Sequence, residues 1–105
     1  MYERFKRLCE IDSITEDERA VQDAIAAELR GMGYEVSEDD AAGPARAGAG
    51  NLTCRIPVAN GSPPADGEAE EAWTMFAAHV DTVPHDEPIE VVLEDGVFVL
   101  SLIHI

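Results

Sequence analysis

Beyond Arg55 this chain has no lysine or arginine. All seven lysines and arginines lie between Arg4 and Arg55, Lys6 is the single lysine, and twenty-two acids leave a net charge of −15. Such a surface repels phosphate backbones and anionic lipid, which argues against nucleic-acid and membrane-surface binding. A nearly lysine-free, acid-rich surface is also what a salt-rich cytoplasm favours. Long apolar runs are missing as well, so no stretch reads as a membrane span, and the opening Met-Tyr-Glu-Arg-Phe-Lys-Arg is amphipathic, unlike a secretory signal. Cysteine is scarce: Cys9 and Cys54 have no C-x-x-C spacing and read as buried thiols in a reducing cytoplasm. Cytoplasmic residence is the resulting expectation. What the chain does have is 105 residues at 46% hydrophobic content, enough for one small core.

Tyr2, Phe5, Leu8 and Cys9 fall at helical spacing and predict a short amphipathic helix over 1–10. After the connector Ile11-Asp12-Ser13-Ile14, the run Thr15-Glu16-Asp17-Glu18 matches a capping box and predicts the start of a second helix. Val21, Ile25, Leu29 and Met32 supply its apolar stripe, with Ala20 and Ala24 between them, and Gly31 or Gly33 its left-handed exit. Tyr34 to Ser37 alternates as a strand; Ala41 to Gly50 reads as a flexible surface insertion; Asn51 to Ile56 resumes a strand pattern. Pro57 to Ala72 is polar, rich in Pro and acid, and reads as an exposed loop. Ile89 to Leu93, the turn Glu94-Asp95-Gly96 and Val97 to Val99 predict a hairpin. The order of elements points to an α/β layered fold, two helices packed on a mixed β-sheet.

Chemistry concentrates in Trp73 to Pro84. Met75 to Ala78 is a short apolar run that predicts a strand buried on both faces, and the period of two puts His79 and Asp81 on one side of its end. A neutral imidazole can take a divalent ion on one nitrogen while a nearby carboxylate fixes the ring. His85, Asp86 and Glu87 sit in a Pro-containing turn and read as solvent-facing; Asp95 before Gly96 reads as turn chemistry.

In order, Ile11-Asp12-Ser13, Thr15 to Glu18, Met32-Gly33-Tyr34-Glu35-Val36, Gly50-Asn51-Leu52, Ala78-His79-Val80-Asp81-Thr82-Val83 and Ile89 to Val97 make the chain resemble the N-terminal part of the catalytic domain of M20-type zinc metallopeptidases. The branch it looks most like is that of the peptidase T-like tripeptide aminopeptidases. That resemblance implies a phosphorylase/hydrolase-like layered domain, incomplete over residues 1–99, and a two-zinc exopeptidase that hydrolyses short peptides with metal-activated water. It implies His79 as a ligand of one zinc and Asp81 as the carboxylate of the catalytic apparatus that orients it. It also implies a homodimer formed through a further domain. The bridging aspartate, the glutamate pair with the general base and the remaining ligands of that family have no counterpart in these residues, so the chain alone is expected to be inactive. A deacylase or dipeptidase of the same family, or a non-enzymatic acidic module binding cations or a protein, are the alternatives. Residues 100–105, Leu-Ser-Leu-Ile-His-Ile, depart from the family pattern and read like a translated sequencing adapter, a non-native scar in which His104 is a spurious ligand candidate.

Overall fold

The computed structural model describes residues 1–57 and 74–100. Along them run α1 (Tyr2–Cys9), α2 (Arg19–Gly31), β1 (Val36–Glu38), the one-turn helix α3 (Ala42–Ala45), β2 (Leu52–Cys54), β3 (Val91–Glu94) and β4 (Val97–Leu100). The class is mixed α and β, as expected. The strands, however, pair as two separate antiparallel ribbons, β1 with β2 and β3 with β4, so no mixed sheet forms among the described residues.

Both long helices form where the apolar spacing predicts them. In α1, Glu3 in the first turn and Lys6 and Arg7 in the last complement the helix dipole. The start of α2 is a correction. It opens at Arg19 with Glu18 at its N-cap, three residues later than the capping box implies. Residues 14–17 instead make a turn, in which the Asp17 amide donates to the Ile14 carbonyl at 2.8 Å and Glu16 has φ +80°. The Glu18 carboxylate turns away from Thr15 and accepts from the amides of Glu16 at 2.8 Å and Gly48 at 2.6 Å. A donor delivered from thirty residues away outcompetes the local box. At the other end Gly33, φ +91°, follows the C-cap, and the Tyr34 amide to the Leu29 carbonyl with the Gly33 amide to the Arg30 carbonyl completes a Schellman exit. Val21 and Ala26 are buried and Ile25 and Leu29 half-buried, while Met32, counted in the stripe, is exposed because it sits at the cap itself.

The segment 41–50 was expected as a flexible insertion, yet its ends are sewn to the body. Gly50 donates its amide to Glu38 Oε1 at 2.8 Å, and its carbonyl accepts from the Gln22 side chain. Asn51 gives its backbone and side-chain N–H to the Asp39 carboxylate at 2.7 and 2.9 Å. A β-carbon on Gly50 would collide with the Asp39 carbonyl oxygen, so the close approach of the two backbones requires glycine there.

The hairpin forms as read. Asp95 and Gly96 both have positive φ, +49° and +79°, which is the type I′ geometry that matches the strand twist. With Glu94 opposite Val97, alternation leaves Val91 at a position whose N–H and C=O face outward from the ribbon. α1 satisfies both: Lys6 Nζ donates to the Val91 carbonyl and Glu10 Oε1 accepts its amide, each at 3.0 Å. Phe98 lies against Tyr2 and Phe5, ring centroids 5.3 and 4.6 Å apart. A lone hairpin is marginal in water, and this packing on α1 is what lends it stability.

The buried strand before His79 is the second correction. Trp73 lies outside the described residues; Thr74 to Ala78 forms no strand with any described residue, and Met75 and Phe76 are 87% and 94% exposed. A strand covered on both faces needs neighbours for its backbone groups, and among the described residues none runs beside it. Residues 58–72 of the loop and 101–105, including His104, lie outside the described residues.

Two tests follow from this packing. Gly50→Ala should destabilise the chain by about 1–3 kcal/mol, read as a lower urea midpoint, because backbone and not a flexible side chain must give way; an unchanged midpoint would show that the loop is not docked. Glu10 is held below the usual carboxylate range first by the Val91 amide, Glu18 by the Glu16 and Gly48 amides, Glu38 by Arg19, and Asp39 by the Asn51 side chain. The folded chain therefore binds fewer protons than the unfolded one in the acid range. The stability these carboxylates contribute is complete above the ordinary carboxylate values and is lost as pH falls from about 5 downward. Urea midpoints should fall over that window, and Glu10→Gln should flatten the decline; a midpoint independent of acid pH would contradict it.

Candidate functional site

The segment carrying His79 and Asp81 meets the connector that precedes α2 along a short seam. The Thr82 amide donates to the Ser13 carbonyl at 2.8 Å, and Ile14 and Thr82 form a parallel bridge. Ser13 is buried at this seam. One residue further on each side, the Thr15 hydroxyl donates to Asp81 Oδ2 at 2.9 Å.

The two predicted site residues are brought together. His79 Nδ1 lies 3.0 Å from Asp81 Oδ1 and 3.0 Å from the Asp81 carbonyl oxygen. Both neighbours only accept hydrogen bonds, so Nδ1 carries the proton, and in the neutral ring Nε2 carries the lone pair. Among the described residues nothing hydrogen-bonds to Nε2, and the His79 side chain is 86% exposed. This is an imidazole presented to solvent with its acceptor nitrogen outward. Asp81 is held below the usual carboxylate range, first by the Thr15 hydroxyl and then by His79. Above that range it stays ionised and keeps its hold on the ring.

The structure does not bring a third ligand-type residue here. Among the described residues no group of three or more His, Cys, Asp or Glu lies close enough together to hold a metal ion. Asp86 and Glu87 are exposed, as expected. His85 is not: its side chain is 10% exposed, its Nδ1–H donates to the Glu87 carbonyl at 2.7 Å, and Nε2 is buried 4.0 Å from Asp12 Oδ1. The turn folds back onto the 11–14 connector, which no local signal announces. Cys9 and Cys54 are free and half-buried, and burial, with Glu10 beside it, pushes the Cys9 thiol up. A concavity of about 520 Å³ on β1 and β2, flanked by Arg30 and Arg55, shares no residue with the 79–82 segment and belongs to a different part of the surface.

Thr15 is the site residue that sequence reasoning missed. Its local pattern assigned its hydroxyl to a helix cap, and its real partner is sixty-six positions away.

No protein-family model matches the chain, and no solved structure matches it. Among curated proteins it is similar to the uncharacterized protein YqjE of Bacillus subtilis strain 168, 29% identical over 96 residues that make up 91% of this chain and 24% of that protein. The chain spans about a quarter of the length of that relative. Among the described residues no helix is long and apolar enough to cross a membrane.

Proposed function

We propose that this chain is the N-terminal part of an M20-type zinc-dependent exopeptidase acting on short peptides, in which His79 ligates a metal and Asp81 orients it. The observation that carries the reading is the His79–Asp81 geometry. A carboxylate on Nδ1 and an outward lone pair on Nε2 are what a histidine needs to serve as a metal ligand with a fixed tautomer. The ordered motifs around it support the same reading.

The donor set fits one ligand of such a centre. A tetrahedral zinc needs about four donors, and His79 supplies one. Under this reading the bridging carboxylate, the general base, the other ligands, the second zinc, the layered sheet and the dimerising domain are supplied by chain beyond these residues. The similarity to a protein about four times as long is consistent with that. A bound zinc would polarise the scissile carbonyl and acidify water. What this chain does is narrower: the 13–15 connector anchors residues 81–82, and Asp81 accepts the Nδ1 proton, so that in the neutral ring Nε2 is the nitrogen turned outward.

Zinc titration followed through the His79 ring nitrogens tests the ligand assignment. Weak binding at Nε2 is expected, abolished by His79→Ala and weakened on the order of 10–100-fold by Asp81→Asn; equal affinity in all three proteins would sink it. In an assay of tripeptide hydrolysis with added zinc, the 105-residue chain should show no turnover, and clear turnover would refute the single-ligand account. The coding sequence that follows Val99 in the source genome tests the family: an aspartate-containing segment and a Glu-Glu pair support the peptidase, and an immediate stop codon supports an acidic module.

A further inference from the structure

His79 has almost nothing to hold it. Its side chain is 86% exposed, so ring orientation cannot come from packing and must come from Asp81. Asp81 has the same difficulty, being 38% exposed, and the terminal torsion of an aspartate is a broad, roughly two-fold well that lets the carboxylate swing. Carboxylate Oδ1 faces His79 Nδ1 beside the Asp81 carbonyl oxygen, each at 3.0 Å, and Oδ2 takes the Thr15 hydroxyl. We propose that Thr15 is the positioning residue of this pair: by fixing Asp81 Oδ2 it aims Oδ1 at His79 Nδ1 and so keeps Nε2 available to a metal.

Thr15 is itself well placed to give that anchor. Ile14 is tied to Thr82 by the parallel bridge, the Ser13 carbonyl holds the Thr82 amide, and the Ile14–Asp17 turn closes on the far side. The hydroxyl thus approaches Asp81 from backbone fixed to the same segment. A β-branched residue also has few χ1 choices, so the hydroxyl direction is set more firmly than a serine would set it. Helix capping does not use it, because α2 begins at Arg19. The metal part of this inference rests on the proposed function; the tautomer part does not.

The test reads the tautomer of His79 by ring ¹⁵N shifts in the 105-residue chain, at a fixed pH where the imidazole is neutral. The parent and Thr15→Ser should show the Nδ1–H form, and Thr15→Val should lose that signature in favour of Nε2–H. His85, whose Nδ1–H is held by Glu87, reports whether the seam is intact. If Thr15→Val disturbs the His85 signal, Thr15→Ala, which adds no second γ-carbon, is read in its place. Retention of the Nδ1–H form without the hydroxyl, or its loss in a folded Thr15→Ser, overturns the proposal. Zinc binding should weaken on the order of threefold to tenfold in Thr15→Val. Tautomer loss with no zinc binding even in the parent would leave the positioning role standing and refute the metal reading, so the two fail separately.

Discussion

The two-residue seam between Ser13–Ile14 and Thr82 is the constraint on which the candidate site depends. It joins segments nearly seventy positions apart with one backbone hydrogen bond and one parallel bridge, and the described residues just before it, 74–81, make no strand pairing. Closing so long a loop costs chain entropy that grows only slowly with length, but it has to be recovered locally. Here the recovery is shared among the backbone pair, the Thr15–Asp81 bond and the inward-folded His85. Exposed Met75 and Phe76 just upstream contribute nothing to it. The site is therefore organised by polar contacts at a seam, where the sequence suggests an apolar strand would do the work.

The same N-terminal region holds the hairpin. α1 meets it through Tyr2 and Phe5 on Phe98 and through Lys6 and Glu10 on the outward backbone of Val91, which is fully buried. The residues engaged, 2, 5, 6 and 10, lie along one side of the helix at spacings of three, one and four, so a single face supplies both the aromatic contact and the polar bracket. Residues 2–18 thus organise both later segments, the His79–Thr82 segment through the connector and the hairpin through the helix. A change in the first eighteen residues reaches the chemistry-bearing segment without touching it.

What could be read from the sequence was whatever depends on neighbours in the chain. The helical stripe of α2, the glycine exit at Gly33, the Asp95–Gly96 turn and the proximity of His79 to Asp81 are decided within a few residues, and each stands in the structure. The misses share the opposite property. Thr15 to Glu18 carries a sound local capping pattern, but Asp81 claims the Thr15 hydroxyl and Gly48 claims the Glu18 carboxylate. Ala41 to Gly50 has a flexible composition, yet Glu38, Asp39 and Gln22 grip its end. Met75 to Ala78 has the pattern of a buried strand and no neighbour among the described residues to bury it. Each error is a local preference overruled, or left unmet, by a distant partner.

That contrast changes the meaning of the acidic composition. A charge of −15 reads most simply as a solvated surface. Yet Glu10, Glu18, Glu38 and Asp39 each accept a backbone amide that the helices and ribbons do not use, from Val91, Gly48, Gly50 and Asn51. Every one of these bonds crosses between segments, and a carboxylate accepts an amide more strongly than a neutral oxygen does. With so little sheet to satisfy backbone donors, this fold uses side-chain carboxylates as substitute acceptors. Asp81 extends the practice from amides to an imidazole and a hydroxyl. At these five positions the acids are the groups that fasten the loops together.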